Sequence, residues 1–217
     1  MPNLDFKWLG RIEFTEGLAL QNELVEQRIA GEISDTVLLL EHEPVYTIGR
    51  TRDRSSLKLP DAELPHPVVE INRGGQATFH GPGQLVGYLI LDLHHYGRDL
   101  HTYLRSVEEM LIRFLKTLDL DPGRREGLTG VWLENRKIAS IGIGVRKWIS
   151  MHGFGFNISA DLSGYDSIIP CGISNVEMTS VVRESGDSQW TPQRVGEALQ
   201  PFIEEELRML QRNSETV

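Results

Sequence analysis

The sequence predicts an α+β fold, a mixed or antiparallel sheet with helices packed on one side. Three observations carry that expectation. Helical periodicity appears at both ends of the chain and once in the middle. Apolar, β-prone runs fill the space between. Several of these runs follow one another with no helix between them, which argues against a doubly wound parallel sheet.

The first helix is predicted over 13–29, because Phe14, Leu18, Val25 and Ile29 recur on one helical face and Gly31 suits its end. Strands follow at 36–41 and, after Pro44, at 45–49. The polar stretch 51–66, with Pro60 and Pro65, reads as a loop able to gate a site. A strand at 68–72 delivers the chain into Arg73-Gly74-Gly75, and a strongly apolar strand spans 84–93. The helix over 99–118 has the clearest pattern: Leu100, Tyr103, Leu104, Val107, Leu111, Phe114, Leu115 and Leu118 form one stripe, and Asp99 can cap it. Segments 131–134 and 137–145 read as a hairpin turning at Asn135-Arg136, 148–159 as a third strand of the meander, and 175–183 as one more strand. The last helix opens with Thr191 as cap and Pro192 at its first position; Pro201 is expected to kink or interrupt it. The acidic run at 204–206 reads as a solvated face.

The length, 217 residues, suits one domain over 1–217. A chain of this size buries roughly 70–75% of its unfolded surface, enough for a core without disulfides or metals. Lys and Arg number 22 against 31 Asp and Glu, a net charge of −9, which disfavours nucleic acid as a partner. Locally, Arg50, Arg52, Arg54, Lys58 and Arg73 form a basic stretch that reads either as a dock for an acidic protein or as an ordinary solvated loop. No apolar run reaches the roughly 18 residues of a membrane span, and residues 1–10 lack the blocks of a secretory signal. One cysteine allows no internal disulfide and fits a reducing compartment, so the expected location is cytoplasmic.

Three segments carry chemistry. In 73–84, RGGQATFHGPGQ, five residues are Gly or Pro where a strand should end. Glycines let backbone approach a ligand, and an adjacent Arg can hold an oxyanion, carboxylate or phosphate. In 137–144, KIASIGIG, a lysine leads an apolar strand, and simple alternation puts Lys137, Ala139 and Ile141 on one face. In 170–173, PCGI, Pro and Gly place Cys171 on a rigid, accessible loop. Only its thiolate is a good nucleophile, so it needs a nearby cation or base; Lys137, His80 and His152 all qualify. Taken singly, each segment also has a plain reading: a turn, a hairpin lysine in water, an inert small residue.

Together they resemble the lipoyl(octanoyl) transferases, the octanoyl-carrier-protein:protein N-octanoyltransferases. The likeness lies in RGGQATFHGPGQLVGY at 73–88, GVW at 130–132, KIASIGIGVRKWISMHGFGFNI at 137–158 and PCGI at 170–173. It implies the mixed-sheet sandwich with packing helices shared with the biotin and lipoate protein ligases. It also implies transfer of an octanoyl group from octanoyl-acyl carrier protein to a lysine of lipoyl domains, those of 2-oxoacid dehydrogenase complexes and of the glycine cleavage H protein. No cofactor, metal or membrane is implied. Cys171 corresponds to the acyl-bearing nucleophile and Lys137 to its proton partner. Arg73, Gly74, Gly75, Gln76, Ala77, Thr78, Phe79 and His80, then Ser140, Ile141 and Gly142, then Gly153, Phe154 and Gly155, correspond to the substrate-binding segments. Phe154 and Phe156 stand where the family often carries small aliphatic residues, so the acyl tunnel is expected to be reshaped there. Two rivals share parts of this pattern: an ATP-dependent lipoate or biotin ligase, and a non-catalytic module that only holds an acyl chain or carrier.

Overall fold

The computed structural model describes residues 4–173 and 176–214. In chain order the elements are β1 (Leu4–Ile12), α1 (Phe14–Ala30), β2 (Asp35–His42), β3 (Val45–Ile48), β4 (Val68–Glu70), β5 (Thr78–His80) and β6 (Gln84–Ile90). There follow α2 (Leu100–Lys116), β7 (Pro122–Arg125), β8 (Leu128–Leu133), β9 (Arg136–Arg146), β10 (Ile149–Asn157), β11 (Glu177–Met178), α3 (Val181–Ser185) and α4 (Pro192–Ser214). The large sheet runs β1-β2-β6-β10-β9-β8-β7, with β11 beside β9, and a small sheet runs β4-β3-β5. Both are mixed: β1–β2, β9–β11 and β3–β4 are parallel pairs and the other pairs are antiparallel.

The expected helices are present, and their ends follow the expected chemistry. Asp99 accepts the His101 and Thr102 amides at the start of α2, Thr191 accepts the Arg194 amide before α4, and Gly31 closes α1 in the left-handed conformation. The helices do not lie on one side of the sheet as the strand runs suggested. Strand β2 is apolar on both faces: Val37 and Leu39 pack toward α2 and α4, while Leu38 and Leu40 pack toward α1. Such a strand needs cover on both faces. Helices α2 and α4 supply it on one side. Helix α1 and the small sheet lie on the other.

Other expectations shift. Strands β1, β5 and β7 were not expected. β1 does carry a strand signal, the alternation Leu4-Asp5-Phe6-Lys7-Trp8; β5 and β7 have three and four residues, too short for a periodic signal. The strand expected at 175–183 shrinks to Glu177–Met178 and then becomes α3; Asn175 lies outside the described residues. The hairpin turns at Glu134-Asn135, with Glu134 in the left-handed region. Helix α4 runs through Pro201 without a break, and Leu199 and Ile203 on either side are seated in the same core. The acidic run is not wholly solvated: Glu206 is buried, and Arg113 of α2 donates to both Glu205 and Glu206. Among the described residues no helix is long and apolar enough to cross a membrane.

Candidate active site

A cavity of about 500 Å³ opens beside β9, between the small sheet, the 72–75 loop and the start of α2. Its walls include Arg73, Gly74, Gly75, Thr78, His80, Lys137, Ser140, Ile141, Gly142, Gly153, Phe154, Gly155 and Cys171. Three predicted residues serve it from behind instead. Gln76 packs against Gly172, the Ala77 carbonyl accepts the Cys171 amide at 2.9 Å, and Phe79 lies in the small-sheet core with Tyr46 and Tyr165. Leu100 and Leu104 leave the α2 core stripe and line the cavity, a role the helical pattern alone does not distinguish from packing.

Cys171 sits in the left-handed region at φ 55°, a conformation that costs a non-glycine residue about 1 kcal/mol or more. Gly172 follows at φ 69°, where an added Cβ would stand 1.7 Å from Gln76 Oε1. The turn is over-determined by its neighbours. The Cys171, Gly172 and Ile173 amides donate to Ala77, Ile169 and Pro170 carbonyls, so none of these three is free to meet a reaction oxyanion. The 51–66 loop is not a free lid either. Lys58 N–H donates to Ser167 O, Ile169 N–H to Ser56 O, and Gln76 Nε2 to Asp53, which stitches this loop to the cysteine segment.

Of the three candidate partners for Cys171, the structure brings up one. Lys137 Nζ lies 3.3 Å from Sγ, and Ser140 Oγ lies 3.7 Å away. Simple alternation fails here. Ala139 and Ile141 face α2 and α4, while Lys137 faces the cysteine together with Ser140. The ladder slips between the pairs Val131–Ala139 and Trp132–Lys137, and this bulge reverses the side on which Lys137 emerges. Burial raises the Cys171 thiol pKa, but the Lys137 charge, the Ser140 and Lys137 hydrogen bonds and the more distant Arg73 outweigh it, and the net shift is downward.

Arg73 is buried and pairs with no carboxylate among the described residues. Its Nη atoms donate to the carbonyls of Gly74, Gln76 and Thr47 and to Thr47 Oγ1. It clamps the glycine loop and contributes fixed positive charge; those donors are not available to a substrate anion. The basic stretch also disperses. Arg54 pairs with Asp61 and Glu70, Arg52 pairs with Glu70, and Arg73 is inside. Phe156 turns away from the cavity to meet Phe114, and the Phe154 ring covers Gly87 while remaining part of the wall.

His80 and His152 are not near-neutral bases. Burial lowers His80 to about 3, and lowers His152 and the adjacent His42 to about 4. All three stay uncharged, with partners in Gln84, Gln21 and Tyr88. The linkage has a definite sign. Each group sits below its unfolded value of about 6.5, so the unfolded chain takes up protons first and stability is lost as pH falls through that value toward 4. Each histidine contributes up to about 1.4 kcal/mol per pH unit in that window. The melting temperature is therefore expected to drop by several degrees or more between pH 7 and pH 5; a flat profile would show that these rings are solvated.

Comparisons with known proteins place the chain in a family. The lipoyl protein ligase A/B catalytic domain model matches residues 13–204. An octanoyltransferase of Geobacter sulfurreducens is 50% identical over 178 residues, 82% of this chain and 74% of that protein. An octanoyltransferase of Geotalea uraniireducens is 42% identical over 200 residues, 91% and 92% of the two chains. Among solved structures, a bipartite lipoate protein ligase of Thermoplasma acidophilum aligns with TM-score 0.72 at 15% identity, covering 98% of this chain and 92% of that one. Biotin protein ligase of Aquifex aeolicus aligns with TM-score 0.59 at 17% identity, over 97% and 73%. At such identities the structural likeness establishes the fold alone.

Proposed function

The chain belongs to the lipoyl protein ligase A/B catalytic-domain family and, within it, to the octanoyltransferases, and from that premise we infer how its site works. It is an acyltransferase that moves octanoyl groups in protein lipoylation, and its acceptor is a lipoyl-domain protein. The finer reading concerns donor and route. The donor is octanoyl-acyl carrier protein, the acceptors are lipoyl domains of 2-oxoacid dehydrogenase complexes and the glycine cleavage H protein, and the octanoyl group rests on Cys171 between them. One catalytic unit spans the whole chain. A reducing compartment such as the cytoplasm keeps the nucleophile as a thiol.

The observation that carries this reading is the Lys137–Cys171 contact at 3.3 Å inside the cavity. Lys137 takes the thiol proton, giving a thiolate–ammonium pair. The thiolate attacks the donor carbonyl. The carbon–sulfur bond to the carrier breaks, and the carrier sulfur leaves with the proton from Lys137. The acceptor lysine, as a neutral amine, then attacks the Cys171 thioester. Sγ departs as thiolate and Lys137 receives the amine's proton, which restores the starting pair. Because the donor is already a thioester, the step needs no ATP. Ser140 Oγ and the Lys137 ammonium flank the sulfur where the transient oxyanion forms. Thr78, His80 and Gly155 belong to the cavity that receives the acyl chain.

Intact mass tests this directly. Mixing the protein with octanoyl-acyl carrier protein, without ATP, is expected to add one octanoyl group that neutral hydroxylamine removes and that Cys171→Ala abolishes. Absence of the adduct, with label transfer appearing only when ATP and free acid are supplied, would replace this reading with the ligase.

A further inference from the structure

The Lys137 side chain does not reach Cys171 unaided. Its stem crosses Gly130 of β8: a Cβ built on Gly130 would stand 2.6 Å from Lys137 Cε and 3.2 Å from Nζ. Gly130 has φ 128°, outside the range that side-chain-bearing residues usually adopt. Its amide does not point to another strand. It donates to Glu108 Oε1 at 3.0 Å. Glu108 lies in α2, on the far side of the strand from the cysteine, and is fully buried. A buried carboxylate is costly unless it is paired, and Glu108 Oε2 is paired twice, with Arg105 Nη1 at 2.6 Å and Arg124 Nε at 2.8 Å. Both arginines are partly exposed, so the carboxylate is anchored from the surface inward. One oxygen is thus fixed by two cations while the other holds a single peptide amide beneath the lysine. The Trp132 ring, 5.2 Å from Nζ, flanks the ammonium.

We propose that Glu108 and Gly130 form a positioning platform for Lys137: the carboxylate fixes the glycine's backbone, and the bare Cα leaves the channel through which the lysine stem reaches the cysteine sulfur. This rests on the Lys137–Cys171 pair acting as proposed above. Neither residue touches substrate. Their effect is read through the distance between ammonium and thiolate, and so through the thiol's acidity. A shift of one unit in that acidity changes the thiolate fraction about tenfold at a pH below the titration midpoint.

The test is the pH dependence of Cys171 alkylation by iodoacetamide, a readout that needs neither donor nor acceptor and that a purely structural role would not move. Glu108→Leu removes the acceptor. Glu108→Gln keeps an amide oxygen for the Gly130 N–H while giving up the charge. Gly130→Ala puts a Cβ into the channel, 2.6 Å from both Lys137 Cε and the Ala139 carbonyl oxygen. Glu108→Leu and Gly130→Ala are expected to raise the alkylation midpoint by about one unit, slowing the reaction about tenfold near pH 7, and to lower octanoyl-transfer kcat at least as much. Glu108→Gln is expected to restore most of the wild-type midpoint. Each variant is read only where its melting transition shows it folded, and either Glu108→Leu or Gly130→Ala decides if the other does not fold. A folded Gly130→Ala protein with an unchanged midpoint would overturn the platform. A wild-type midpoint equal to that of a free thiol would instead strike the Lys137–Cys171 pair itself.

Discussion

Cys171→Ser is expected to reduce octanoyl transfer by about 10³-fold or more, with the fold intact. The substitution exchanges one atom in a part-buried turn whose backbone is held by its own amides, so the left-handed conformation and the Gln76 contact remain. Reactivity is what changes. The thiolate is the nucleophile, and the site lowers the thiol's pKa with the charges of Lys137 and Arg73. A serine hydroxyl ionises far less readily, and a lysine partner does not bring its alkoxide within reach at neutral pH. Single-turnover transfer from octanoyl-acyl carrier protein to a lipoyl domain, together with intact mass, is the measurement. Near-wild-type turnover in the serine variant would eliminate the covalent route and leave direct transfer between the two partner proteins.

Lys137→Arg follows, with an expected loss of about 10²–10⁴-fold, the range that a positioned proton donor and acceptor supplies. The charge is kept, so an electrostatic role alone would survive. The guanidinium stays protonated under any physiological condition and cannot take the thiol proton or that of the incoming amine. It is also larger and planar, and the stem of residue 137 runs through a channel with no space beyond the Gly130 Cα. Lys137→Met separates the two effects, since it fits the channel but lacks the charge. If the arginine variant keeps wild-type rates while the methionine variant fails, Lys137 is an electrostatic support and the proton moves elsewhere. Failure of both, with each variant shown to be folded by a cooperative melting transition, is the expected outcome.

Much of this was legible in the chain. The 3.6-residue stripes of α1, α2 and α4 and their capping residues Gly31, Asp99 and Thr191 are local signals, because helix hydrogen bonds close within four residues. So was the pairing of Gly and Pro around Cys171, which marks a turn whatever surrounds it. The family likeness singled out Lys137 and Cys171, and the structure places them 3.3 Å apart. The sequence could not choose among Lys137, His80 and His152 by itself. The two histidines were set aside by position, since only Lys137 reaches the sulfur, and by burial, which keeps both neutral.

Tertiary structure decided what depends on partners distant in the chain. Alternation along 137–141 put the lysine on one face with Ala139 and Ile141, and a single slip in the β8–β9 ladder moved it to the other; such a bulge is set by strand pairing, which no local pattern encodes. Arg73 looked like an anion holder until its donors met the carbonyls of Thr47 and Gln76. The 51–66 loop read as a segment able to gate a site, and only the fold shows its backbone bonded to the cysteine segment more than a hundred residues later. Glu108 reads in the sequence as one more polar residue within an amphipathic helix, and only its contact with the Gly130 amide distinguishes it. The sequence determined which chemical groups were present and which local elements would carry them. The tertiary structure determined which donors were already satisfied, which side of each strand faced the cavity and which cation reached the sulfur, because hydrogen bonds and charges act over a few ångströms of space and not along the chain.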